Sequence, residues 1–182
     1  MAKDILIREA EPEDAAAIRD MIAALARETG RPDIEVLSEE EVRAHGFGPH
    51  PDFRALIAEF KGAPVGLAVY FSEFSTWRGR RGVYIQDIYV TPDQQGAGVG
   101  RRLINAVLKR ARNDGAVYLR LAADRSNAAA ARFYKRIGFR EAKEDRIFFL
   151  EGEPFDGLAE NFAWKPRLPV AANDDPKKES SS

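Results

Sequence analysis

The feature that most constrains this chain lies between Val83 and Ala111. There an alternating β-branched run, "VYIQDIYV", meets glycines at every second position, Gly96, Gly98 and Gly100, and then an amphipathic pattern. The order reads as a strand, a tight turn and a helix packed back on a sheet. Arg101 and Arg102 fall in the first turn of that helix. A helix N-terminus is its positive end, so each arginine there is unfavourable by roughly a few tenths of a kcal/mol. A bound anion removes the objection. Glycines lack Cβ atoms where a backbone must approach a ligand closely. The N–H groups at a helix start are donors suited to phosphate oxygens. A flexible turn is the plainer reading of the same glycines. The dinucleotide fingerprint would need glycine where Arg101 stands, and nothing resembles a Walker A lysine. A pyrophosphate is the simplest occupant.

Around this unit the chain alternates strand and helix signals. Asp4 to Glu9 reads as a strand, and "EPEDAAAIRDMIAALARETG" as a helix with an acidic first turn and Gly30 as its stop. Ser38 and Glu41 have capping-box spacing for a short second helix. "FRALIAEFKGAPVGLAVYFSEF" reads as two strands joined at Gly62-Ala63-Pro64, and "TWRGRRG" as a turn into the next strand. After the glycine-led helix come a strand at "AVYLRLAA", a helix at "SNAAAARFYKRIG" closed by Gly138, and a last strand at "DRIFFLEG". The sheet is expected to be mixed, antiparallel first and parallel beside the glycine-led helix. The expected domain covers residues 1–164, and the proline- and serine-rich residues 165–182 read as a disordered tail.

Composition sets the outer bounds. A length of 182 residues suits one domain with a real core, and a formal net charge of −1 does not favour nucleic acid or an anionic membrane. No apolar run reaches the roughly 18 residues of a membrane span, and the first ten residues lack a signal-peptide pattern. The absence of cysteine excludes disulfides, thiolate metal sites and a cysteine nucleophile, and suits a cytoplasmic protein.

Two segments carry a resemblance to the GNAT N-acetyltransferases. "YVTPDQQGAGVGRRL" resembles the family's acyl-CoA loop, Gln/Arg-x-x-Gly-x-Gly/Ala after a strand, with Gln95, Gly98 and Gly100 in its places. "SNAAAARFYKRIGF" is similar to the second signature, an Asn followed by Phe-Tyr before a glycine. The likeness runs over roughly residues 4 to 150. "LSEEEVRAHGFGPHP", "AVYFSEFSTWRG" and "VYIQDIYV" resemble the diamine (spermidine/spermine) and thialysine branch. The resemblance implies an α+β fold, a central mixed sheet of about six or seven strands flanked by about four helices. It also implies acetyl-CoA as co-substrate, a primary amine of a small molecule as acceptor, and a homodimer.

What the resemblance implies for residues falls on three groups. Tyr134 would protonate the leaving CoA thiolate. Ile88, Tyr89 and Val90 would offer strand backbone to the pantetheine arm and the thioester carbonyl. Gln95, Gly96, Ala97, Gly98, Val99, Gly100 and Arg101 would hold the pyrophosphate. Asn127 lies two helical turns from Tyr134, about 10 Å along one face, which suits a contact with a pantetheine amide. The structural readings stand beside these: a core tyrosine at 134 and a helix cap at 127.

The acceptor side is less regular. An alkyl ammonium is neutral only about one part in 2,500 at pH 7, so something must take its proton. Relatives carry a carboxylate where this chain has Gln86, which cannot act as a base. Asp87 is next to it, but alternation puts it on the opposite face unless a bulge intervenes. Glu73 and Glu144 are further acids, and each acid is equally readable as a solvated surface charge. Glu28 and Thr29 stand where the polyamine branch has Tyr-Glu, and Arg78, Arg80 and Arg81 would repel a polycation if they were near it. An amine bearing a carboxylate, such as a lysine-like amino acid, is the alternative acceptor. Trp77 and Phe74 are candidates for an apolar wall, and His45 and His50 flank a turn on the acceptor side. The competing functions are a protein or peptide acetyltransferase and a catalytically silent acyl-CoA-binding regulator.

Overall fold

The computed structural model describes residues 4–144 and 146–160. These fall into two compact units, 4–140 and 141–160. The first contains β1 (Ile5–Glu9), α1 (Ala15–Glu28), α2 (Glu39–Phe47), β2 (Arg54–Phe60), β3 (Ala63–Ser75), β4 (Arg80–Val90), α3 (Val99–Asn113), β5 (Ala116–Leu121) and α4 (Ala128–Arg136). The strands form one sheet in the order β1-β2-β3-β4-β5. All neighbours run antiparallel except β4 and β5, which are parallel, as the helical crossover between them requires.

Each face of the sheet is covered by helix. Val99, Leu103, Ile104, Val107 and Ala111 recur at helical spacing on α3 and pack with Ile5, Leu56, Ala58, Val65, Ala68, Tyr70, Val83 and Ile85. On the other face Ala15, Ile18 and Met21 of α1 and Val42 of α2 meet Ile57, Leu67, Val69 and Tyr89. The expected capping box is formed: Ser38 Oγ accepts from Glu41 N–H, and Glu41 accepts from Ser38 N–H at 2.8 Å. At the β1 edge, Arg8 donates to both carboxylate oxygens of Asp14, at 2.6 and 2.8 Å, and to Glu59 at 2.8 Å. Asp14 also accepts from Glu11 N–H at 2.8 Å. These bonds hold the Asp14 carboxyl below the usual carboxylate range, the Arg8 guanidinium being the main cause.

Two expectations differ from the structure at the C-terminal end. The strand expected at "DRIFFLEG" does not form over residues 146–152, and Asp145 lies outside the described residues. A strand needs a ladder partner, and Ile147, Phe148, Phe149 and Leu150 are instead all exposed. The described sheet therefore has five strands. A fifth helix, α5 (Glu153–Glu160), follows Gly152, whose carbonyl accepts from Phe155 and Asp156 N–H. Residues 165–182 lie outside the described residues.

Candidate active site

The site is built on a strand that changes phase. Along β4, Ile85 pairs with Tyr70 of β3 and Asp87 with Val69, so Gln86 has no partner. This is a β-bulge, one extra residue on β4, and it resets the alternation of side chains. Val83 and Ile85 face the α3 cluster; beyond the bulge Ile88 and Val90 take over that face. Tyr89 lies on the opposite face, with Leu67 and Val69 under α1. Asp87, opposite Val69 and two residues from Tyr89, therefore shares the α1 face. Its side chain is partly buried and forms no hydrogen bond or ion pair among the described residues, and burial pushes its carboxyl up.

At the same place β4 loses its other neighbour. Its pairing with β5 ends at Ile85 and Leu121, and among the described residues no strand borders residues 86–90 on that side. Thr91 N–H donates to Val65 O of β3. By antiparallel alternation the main-chain groups of Tyr89 and Asp87 also point to β3, and those of Ile88 and Val90 point into the parting. Of the three backbones anticipated there, Tyr89's is thus committed to the ladder and supplies none to the gap. Val90 O is already held by Gln95 Nε2 at 3.1 Å, which ties the glycine loop to the strand end.

The loop has the conformation its glycines permit. Gly96 and Gly98 have φ of +79° and +82°, and each faces open space where a side chain would begin. Gly98 caps α3, and the first helical bond runs from Arg102 N–H to Gly98 O. The N–H groups of Val99, Gly100 and Arg101 precede that bond and meet the positive end of the helix. Gly100 differs: its φ is ordinary, and a Cβ would sit 3.4 Å from the Phe133 ring. Arg101 is exposed, whereas Arg102 reaches back to Ile5 O of β1. Alanine at 97 and valine at 99 continue the turn, the latter buried against the core. An open cradle of main-chain donors beside an unpaired strand fits a pyrophosphate with an extended arm.

α4 supplies the far wall. Asn127 is both a cap and a wall residue: its Oδ1 accepts from Ala130 N–H at 2.9 Å, and its side chain borders a cavity. Tyr134 packs against the same core cluster as Ile88, Val90 and Leu121, the residues flanking the parting. Its ring lies 5.3 Å from Phe133 and 5.5 Å from Phe139, and burial pushes its phenol up. The hydroxyl donates to no described residue.

The cavity, of about 400 Å³, is lined by Glu28, Thr29, Gly30, Asp124, Ser126 and Asn127. Tyr89 Oη donates to Glu28 Oε1 at 3.3 Å, so the α1 face of β4 leads into it. Glu28 is therefore placed with Asp87, Tyr89 and Asn127. Glu73 and Trp77 are not. Glu73 is clamped by Arg120 Nε at 2.8 and 2.6 Å and pairs across from Gly82. Trp77, 98% exposed, stands on the β3–β4 turn, ten residues before Asp87 and roughly 20 Å away along the strand. His45 Nδ1 meets Asp52 at 2.7 Å and closes its own turn. Gln86 is exposed at the bulge. Ser126 opens the second signature segment but has no role in its pattern, and Asp124, outside it, is visible only as the start of an Asx turn.

A mixed sheet parted beside a glycine-led helix defines a class, and the comparisons agree with it. The family model for the acetyltransferase (GNAT) family matches residues 19–139, and the chain belongs to that family. Thialysine N-epsilon-acetyltransferase of Sus scrofa is 39% identical over 166 residues, 85% of this chain and 97% of that protein. Its counterpart in Mus musculus is 38% identical, over 84% and 96% of the two chains. Among solved structures, an integron cassette protein from the mobile metagenome of V. cholerae superposes with a TM-score of 0.73 at 21% identity, covering 86% of this chain and 98% of that one. That likeness concerns the fold. The chain is an acetyltransferase.

Proposed function

We propose that the chain transfers acetyl from acetyl-CoA to a primary amine of a small molecule by direct attack, with a lysine-like amino acid as the acceptor. The observation that carries this is the parting of β4 from β5 at Ile85, with Asp87 on one side and Tyr134 on the other. The identity to thialysine acetyltransferases, over nearly their whole length, supports the acceptor class.

When bound, acetyl-CoA supplies the acetyl group as a thioester and departs as the thiol. The N–H groups of Val99, Gly100 and Arg101 receive its pyrophosphate, with Arg101 adding charge. Ile88 N–H faces the parting and is the donor for the thioester carbonyl, a contact worth about 3 kcal/mol in comparable sites. Asn127 keeps its amide Nδ2 for the pantetheine arm while Oδ1 caps the helix. Asp87 takes the proton of the acceptor ammonium, directly or through water, in place of the carboxylate that Gln86 lacks. Its raised pKa suits that task, since a base works best with its pKa near the working pH. Tyr134 remains protonated at neutral pH and donates to the leaving sulfur. Phenol and thiol differ by about 1.5 pKa units in water, roughly 2 kcal/mol, so the contact begins as a hydrogen bond to the developing thiolate.

The reading includes a cytoplasmic homodimer and a domain extending to residue 164. Cysteine-free composition supports the compartment, and among the described residues no helix is long and apolar enough to cross a membrane. CoA release with spermidine, putrescine, lysine, thialysine, an aminoglycoside and a peptide N-terminus tests the activity. Turnover of an amino acid or diamine, reduced in Tyr134→Phe, is expected; turnover of the peptide alone would replace the acceptor class. Light scattering at several concentrations tests the dimer.

A further inference from the structure

We propose that Arg31 and Asp124 form a reader for the zwitterionic head of an α-amino acid, at the mouth of the cavity bordered by Glu28 and Asn127. The inference rests on the acetyltransferase reading and names the residues that select its acceptor. Arg31 Nη2 lies 3.6 Å from Asp124 Oδ2, with the guanidinium side chain 61% exposed and the carboxylate 33%. At that separation the two attract but share no hydrogen bond, so little is lost when another pair of charges is placed between them. The α-carboxylate of an amino acid takes the guanidinium, and its α-ammonium takes Asp124 and Glu28. Each charge then meets its opposite.

Asp124 is prepared for this. Its Oδ1 accepts from Ser126 N–H at 2.8 Å and from Ser126 Oγ at 2.6 Å, which fixes the carboxylate and leaves Oδ2 turned to Arg31. The Ser126 hydroxyl is the main cause that holds its pKa below the usual range, with the Ser126 N–H and Arg31 contributing, so it keeps its charge at neutral pH. Glu28 is oriented by the Tyr89 hydroxyl. Tyr89 and Asp87 are two residues apart on one face, about 7 Å. An extended lysine-like side chain spans roughly 6 Å from Cα to its terminal nitrogen. A head group held at Glu28 and Asp124 therefore delivers its distal amine toward Asp87. A diamine lacks the carboxylate and brings a second cation to Arg31.

The test compares L-thialysine with its decarboxylated counterpart, bis(2-aminoethyl) sulfide, in wild type, Arg31→Gln and Arg31→Lys. Wild type is expected to favour thialysine by about tenfold or more in kcat/KM. Arg31→Gln should lose at least about tenfold on thialysine, in KM rather than kcat, while the diamine changes by less than about twofold, and Arg31→Lys should recover part of the loss. Equal effects on both amines, or none on either, would overturn the reader while leaving the acetyltransferase reading intact. Absence of turnover with every amine would instead strike the acetyltransferase reading. Calorimetry of thialysine with the CoA-saturated protein then decides the reader: binding weakened in Arg31→Gln supports it, and no binding or unchanged binding overturns it.

Discussion

Two carboxylates at different places in this sheet are treated in opposite ways. Asp14, beside the β1 edge, receives two bonds from Arg8 and one from Glu11 N–H, and its pKa falls. Asp87, at the parting of β4, is partly buried with no partner, and its pKa rises. The first arrangement stabilises the charged form and with it the fold. The second disfavours the charged form and stores a proton-accepting group at the cost of stability. An acid that the fold satisfies cannot easily serve chemistry, and one it leaves bare can.

Asp87→Asn should break the contrast most visibly, lowering acetyl transfer by about a hundredfold. The same variant should be more stable at pH 7. A buried acid with a raised pKa binds its proton more tightly in the folded state, so stability falls as pH rises from the ordinary carboxylate value through the raised one. Urea titrations of both proteins between pH 4 and pH 8 check this: the advantage of the variant should shrink toward the acid end. A variant both inactive and less stable would mean that Asp87 has a partner that matters.

Asp14→Asn should do the reverse, costing about 2 kcal/mol at pH 7 with the turnover of the folded enzyme unchanged. The contribution of Asp14 is present above its unfolded pKa and disappears as pH falls through the lowered one, so the two proteins should converge in acid. Tyr134→Phe keeps the ring against Phe133 and Phe139 and removes only the hydroxyl. A loss of at least about tenfold in kcat with an unchanged melting temperature is expected, and a rate equal to wild type would sink the role of Tyr134 as acid. Gly100→Ala should be the mildest, a gain of about 0.5 kcal/mol in urea titration, because its φ is ordinary and the new methyl meets Phe133 at contact distance.

Most of the proposed cofactor side was legible in the residues. The glycine loop, the capping Asn127 and Tyr134 on its helix lie where their spacing put them, because helix caps and tight turns are local and their residue types are few. The acceptor side was not, since it depends on which distant segments meet. Nothing near Arg31 signals that it will face Asp124, which lies 93 residues further on. The bulge at Gln86 was an intermediate case. Its trace is present in "VYIQDIYV": the β-branched residues stand at 83 and 85, then at 88 and 90, with two polar residues between. Alternation read straight through that gap places Asp87 on the wrong face. The strand expected near residue 147 failed for a related reason, since apolar content records a preference for burial but not whether a ladder partner exists.

That unpaired glutamine gives β4 two reading frames. Before it, odd-numbered side chains belong to the α3 core; after it, even-numbered ones do. Removing a single residue there would leave the composition almost untouched and bring the two frames into register. Asp87 would stay opposite Val69 and Ile88 opposite Ala68, each on its present face, and only the bulge itself would go. The extra residue thus sets the bend and twist of β4 where it parts from β5, and not the facing of Asp87.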